Sequence, residues 1–73
     1  MPQSESSKAA EKLANNIKIL RSNNNKSVYQ MSKEIGIAQG FLSDIENQKK
    51  SPSFKTLDKL ADYFGVEIYE LFL

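Results

Sequence analysis

In 73 residues the chain carries ten Lys or Arg, nine Asp or Glu, and neither cysteine nor histidine. Those absences exclude disulfides, thiolate nucleophiles, the usual zinc sites and imidazole acid–base chemistry; in a fold too small to wall a cleft, they argue against an enzyme or a bound cofactor. The net charge of +1 conceals a gradient: residues 1–59 hold every basic side chain and a net +4, while Asp62, Glu67 and Glu70 leave residues 60–73 at −3, a polarity suited to one face on phosphate and the other turned away.

The N-terminus "MPQSESSKAA" is polar, without the basic and apolar regions of a signal peptide. Residues 1–6 are expected to be a disordered lead and 7–73 a single domain. Nothing approaches the ~18 apolar residues of a membrane span, so the expected location is the cytoplasm. Ser6 or Ser7 can cap a first helix, in which Ala10, Leu13, Ala14, Ile17 and Leu20 recur at helical spacing to about Ser22. "SNNNK" ends it, because asparagine is a poor helix residue and tolerates turn conformations.

"SVYQMSKEIG" reads as a short second helix, with Ser27 and Gln30 spaced for a capping box and Val28, Met31 and Ile35 on one face. Gly36 stands where a left-handed residue closes a helix. A third helix from about Gln39 to Asn47 turns Leu42 and Ile45 inward. After "NQKKSP", Ser53 caps a fourth whose apolar stripe is Phe54, Leu57, Leu60, Ala61 and Phe64. Gly65 stops it, and "VEIYELFL" reads as a short fifth helix, apolar at Val66, Ile68, Leu71 and Phe72. The fold class is all-α, with five helices and no β-alternation of useful length.

Two helices of about eight residues joined by "GIA" have the dimensions of a helix-turn-helix. Around them, "IKILR", "MSKEIGIAQGFLSDIEN" and "SPSFKTLDKLADYFGVEIYEL" resemble the lambda-repressor-like, Cro-type helix-turn-helix family, also called XRE, over residues 13–72. The matching positions are Arg21, Ser32, Gly36, Ser43, Ile45, Glu46, Pro52, Ser53, Leu60, Ala61 and Gly65. The resemblance implies that Arg21 and Glu46 pair as a structural clamp, and that helix 3 enters the major groove of double-stranded DNA. It places Gln39, Gly40, Phe41, Ser43 and Asp44 toward the bases. Gln39 can pair bidentately with adenine, and Phe41 can offer an apolar surface to a thymine methyl. Phe41 sits about 100° from Leu42, so it reads as exposed, with a peripheral core role as the alternative. Asp44 either accepts from cytosine N4 or is a plain exposed carboxylate that repels phosphate.

Phosphate contacts are expected from Ser27, Val28 and Tyr29 at the start of helix 2, through backbone N–H groups and the tyrosine hydroxyl, and from Asn47, Lys49 and Lys50 after helix 3. Three positions depart from the family pattern. Val28 replaces a common glutamine, Ala38 a capping Ser or Thr, and Gln48 a glycine, with Asn47 as the alternative left-handed residue. Gly40, inside a helix, costs up to ~1 kcal/mol relative to alanine and suits close approach of the backbone to DNA.

The resulting expectation is a bacterial or phage transcriptional regulator, a repressor reading a palindromic operator. It would act as a homodimer through Tyr63, Tyr69, Phe72 and Leu73, with no small-molecule ligand. The alternative is a protein-interaction module of the same fold, an antitoxin or co-regulator.

Overall fold

The computed structural model describes residues 7–73. Among them lie four α-helices, α1 (Lys8–Asn23), α2 (Val28–Ile35), α3 (Gln39–Glu46) and α4 (Phe54–Phe64), followed by a 3₁₀ helix, η1 (Ile68–Phe72). The expected lead at residues 1–6, with Ser6, lies outside the described residues.

Three of the four α-helices start at a side chain that satisfies an otherwise orphan backbone donor. Ser7 Oγ accepts from Ala10 N–H at 3.0 Å, and Ser53 Oγ accepts from Thr56 N–H at 3.2 Å. Ser27 and Gln30 form a reciprocal box, Gln30 N–H donating to Ser27 Oγ and Ser27 N–H to Gln30 Oε1. Only α3 lacks such a cap among the four, since Ala38 has no oxygen to offer.

Three helices end in the same six-residue closure, with a left-handed residue between two reversed hydrogen bonds. After α1, Asn25 has φ 56°, and Asn25 N–H and Lys26 N–H donate to Ser22 O and Arg21 O. After α3 the left-handed residue is Gln48, at φ 61°, with Gln48 N–H donating to Ile45 O and Lys49 N–H to Asp44 O. Gly65 does the same after α4 at φ 69°. Of the two candidates for the left-handed role after α3, Gln48 takes it, while Asn47 stays near helical values at φ −104°.

The core draws on every element: Leu13 and Ile17 from α1, Met31 from α2, Leu42 and Ile45 from α3, Leu57 and Leu60 from α4, and Leu71 from η1. Two expectations need correction. Phe54 is not part of the buried stripe but 82% exposed. As the first residue of α4, its side chain leans back toward the N-terminus, past the last layer of the core. The fifth helix is not an α-helix but the five-residue η1. There Glu70 N–H reaches Glu67 O three residues back, and the Glu70 carboxylate accepts from Glu67 N–H at 2.8 Å. The tighter winding brings Ile68 and Leu71 onto one face. From α1, the Asn16 amide donates to Leu71 O and Leu73 O at 2.9 and 3.1 Å, satisfying carbonyls that so short an element leaves open.

Candidate nucleic-acid interface

Gly36, at φ 87°, turns the chain from α2 into α3; Gly36 N–H and Ile37 N–H both donate to Ser32 O. Ile37 packs against the core, so the turn is held from inside. Ser32 is itself buried, its hydroxyl donating to Tyr29 O at 2.8 Å. These contacts fix α3 against α2 by one turn of chain and a shared apolar face.

Leu42, Ile45 and Glu46 form the inward face of α3. Glu46 is 4% exposed and takes a two-pronged bond from α1: Arg21 Nε donates to Oε2 at 2.8 Å and Nη2 to Oε1 at 3.0 Å. Nη1 of the same guanidinium donates to Lys26 O at 2.9 Å. The hydrogen bond to Glu46 raises the Arg21 pKa, against a smaller lowering by burial. Arg21 thus joins the end of α1, the α1–α2 turn and the last turn of α3.

On the opposite face Gln39 and Gly40 are exposed, while Ser43 and Asp44 are half-exposed one turn later. A Cβ added at Gly40 would meet no described atom within 4 Å beyond its own helix and neighbours. Nothing among the described residues therefore requires glycine there. Because Ala38 makes no side-chain cap, the first-turn N–H groups of α3 point outward beside Gln39 without a side-chain acceptor. Phe41 departs from expectation: it is half-buried and packs against the core, because it lies one turn before Ile45 and shares that residue's flank.

At the start of α2, the box consumes the N–H groups of Ser27 and Gln30. Those of Val28 and Tyr29 have no carbonyl four residues back within the helix, and they point along its axis. The Val28 side chain packs against the core, whereas Tyr29 is 53% exposed. Beside it stands a cation that the sequence reading passed over. Lys33 Nζ lies 3.3 Å from Tyr29 Oη and 5.2 Å from the ring centroid. The signal was the four-residue spacing in "YQMSK", which places Tyr29 and Lys33 on one helix face.

The loop after α3 presents Lys49 and Lys50, both exposed. Lys50 Nζ is 3.8 Å from Asp44 Oδ2, so the carboxylate feared as a phosphate repeller has a cation within reach. The Asn47 amide is turned back onto Ser43, donating to its carbonyl at 2.9 Å. Lys26 is engaged elsewhere, 2.9 Å from Glu34 Oε2. Glu34 also accepts from the Tyr63 hydroxyl. That bond first, then the one from Lys26, lowers the Glu34 pKa, and the same contact pushes the Tyr63 phenol up to about 12.

The model of the family HTH_3, described as helix-turn-helix, matches residues 17–71. The chain belongs to this helix-turn-helix family. An uncharacterised HTH-type transcriptional regulator of Methanocaldococcus jannaschii is 31% identical over 61 residues, covering 84% of this chain and 92% of that protein. Among solved structures, a hypothetical transcription factor from Neisseria superposes over the whole chain and 86% of its own, with a TM-score of 0.84 at 23% identity. An HTH_3 family transcriptional regulator from Vibrio cholerae matches 88% of this chain and 36% of its own length, with a TM-score of 0.79 at 26% identity.

Within this helix-turn-helix protein, Gln39, Gly40, Ser43 and Asp44 share the solvent side of α3. Ser27, Val28 and Tyr29 cluster at the start of α2, and Lys49 and Lys50 follow α3. The four residues expected at a dimer surface separate. Tyr69 and Leu73 are 66% and 73% exposed, whereas Phe72 packs against the core and Tyr63 is tied to α2 through Glu34. Among the described residues no helix is long and apolar enough to cross a membrane.

Proposed function

We propose that the protein is a sequence-specific transcriptional regulator, a repressor of prokaryotic or phage type, that reads double-stranded DNA with α3 in the major groove. Gln39 pairs with a base, adenine being the geometric match, and Ser43 and Asp44 adjust selectivity one turn further on. The exposed part of Phe41 meets a thymine methyl. Phosphates on either side are held by Ser27, the N–H groups of Val28 and Tyr29 and the Tyr29 hydroxyl at the start of α2, and by Asn47, Lys49 and Lys50. One such module covers too little DNA for tight specific binding, so two copies bind a palindrome with half-sites about one helical turn apart. Tyr69 and Leu73, with the edge of Phe72, supply the exposed apolar surface for that pairing.

The observation that carries this reading is the bare space at Gly40 on the solvent face of α3, in a helix where alanine would be up to ~1 kcal/mol better. Gly40→Leu tests it. The variant should melt no lower than wild type yet lose DNA binding; retention of wild-type affinity would mean that the groove floor does not approach this position.

A further inference from the structure

An open cavity of about 120 Å³ lies between the first half of α1, the loop after α3, the start of α4 and the end of η1. Its floor is the core itself, Leu13, Ile45 and Leu57, with Phe72 as one wall. Its polar wall residues are Lys50 and Ser51. The Lys50 side chain is 61% exposed, so its stem can line the cavity while the ammonium stays at the solvent edge. An apolar cavity of roughly 150 Å³ accepts benzene, so this one is of the size for a single ring with one face to solvent.

We propose that this cavity is a binding site for a small aromatic monocarboxylate, its ring against Leu13, Leu57 and Phe72 and its carboxylate on Lys50 Nζ and Ser51 Oγ. Lys50, the one charged residue of the lining among the described residues, selects the ligand class. Among the described residues the nearest acid to Lys50 is Asp44, 3.8 Å away, a loose contact that a ligand carboxylate can replace or extend. Ile45 ties the floor to α3, and Lys50 belongs to the loop proposed above to hold phosphate. A bound anion therefore competes with DNA for the same cation, which makes the cavity an effector site. That second step rests on the proposed DNA reading; the binding step does not.

Benzoate is the probe, titrated into the full chain without DNA and followed by amide chemical shifts. Saturable shifts confined to the cavity walls are expected, with affinity about tenfold above that of benzyl alcohol, which lacks the charge. Lys50→Gln should remove that preference, and Ala10→Leu, which fills the cavity from the half-exposed side of α1, should remove binding at unchanged melting temperature. Equal binding of benzoate and benzyl alcohol, unchanged binding by Ala10→Leu, or contacts from residues 1–6 filling the cavity in the ligand-free protein would each overturn the site. With a selected DNA site, benzoate should weaken binding by wild type severalfold and leave Ala10→Leu unaffected. Equal effects on both proteins would overturn the effector role and leave the DNA reading standing.

Discussion

At single residues, the chain states both what it stabilises and what it forgoes. Gln48 sits at φ 61°, where a side chain costs roughly 1 kcal/mol that glycine avoids. Gln48→Gly should therefore raise stability by about 1 kcal/mol, a gain of several degrees in melting temperature for a domain this size; no gain would show that the left-handed turn carries little strain. The Arg21–Glu46 pair runs the other way. Removing the buried carboxylate leaves a guanidinium 20% exposed with Lys26 O as its remaining partner among the described residues. Glu46→Ala should cost about 3 kcal/mol in denaturant melts, and an unchanged midpoint would sink the clamp. The spacing of apolar residues makes most buried positions legible, from Leu13 and Ile17 to Leu60. It does not reveal where a helix overhangs its core, and so Phe54 counts as buried by periodicity while lying outside. Phe41 errs in the opposite sense, because a 100° offset from Leu42 is also a one-turn offset from Ile45.

At the level of elements, caps and closures decide where helices begin and end, and they are local enough to be read from the chain. Ser27 with Gln30, Ser53, Gly36 and Gly65 act at the positions that their chemistry implies. The nature of η1 is less legible: "VEIYELFL" has an apolar pattern compatible with either winding, and the choice falls to the Glu67–Glu70 box and to Asn16 reaching across from α1. Ala38 is the informative exception among the caps. Its backbone, at φ −67° and ψ 138°, already has capping geometry, so Ala38→Ser should stabilise the protein by about 1 kcal/mol. The check is a thermal melt, and a lower melting temperature would show that α3 begins elsewhere. The same substitution places an acceptor over N–H groups that otherwise face outward, and it separates stability from any use of those groups.

For the whole molecule, electrostatics and assembly matter more than any one contact. Among the basic residues, Arg21 and Lys26 are held in close ion pairs, whereas Lys49 and Lys50 face solvent near α3, Lys50 with only the loose contact to Asp44. If Lys49 neutralises a phosphate, Lys49→Ala weakens binding to all DNA sequences alike and flattens the logarithmic salt dependence by about one unit; an unchanged slope would remove Lys49 from the interface. The acidic side chains of residues 60–73 lie on α4, η1 and the turn between them. The groups proposed to read bases were legible only as a family pattern laid on one helix, because nothing in composition distinguishes Gln39 from any surface glutamine. What the fold adds is the coincidence of Gln39, the empty space at Gly40 and the uncapped start of α3 on one face. That coincidence is tested most directly by selecting bound sequences from a random DNA pool, at one stated salt concentration, with wild type and Gln39→Ala in parallel. The account predicts that wild type enriches a palindrome whose half-sites lie about one turn apart, and that Gln39→Ala loses selection at one position in each half-site. No enrichment by wild type, or the same site chosen by both proteins, would contradict it.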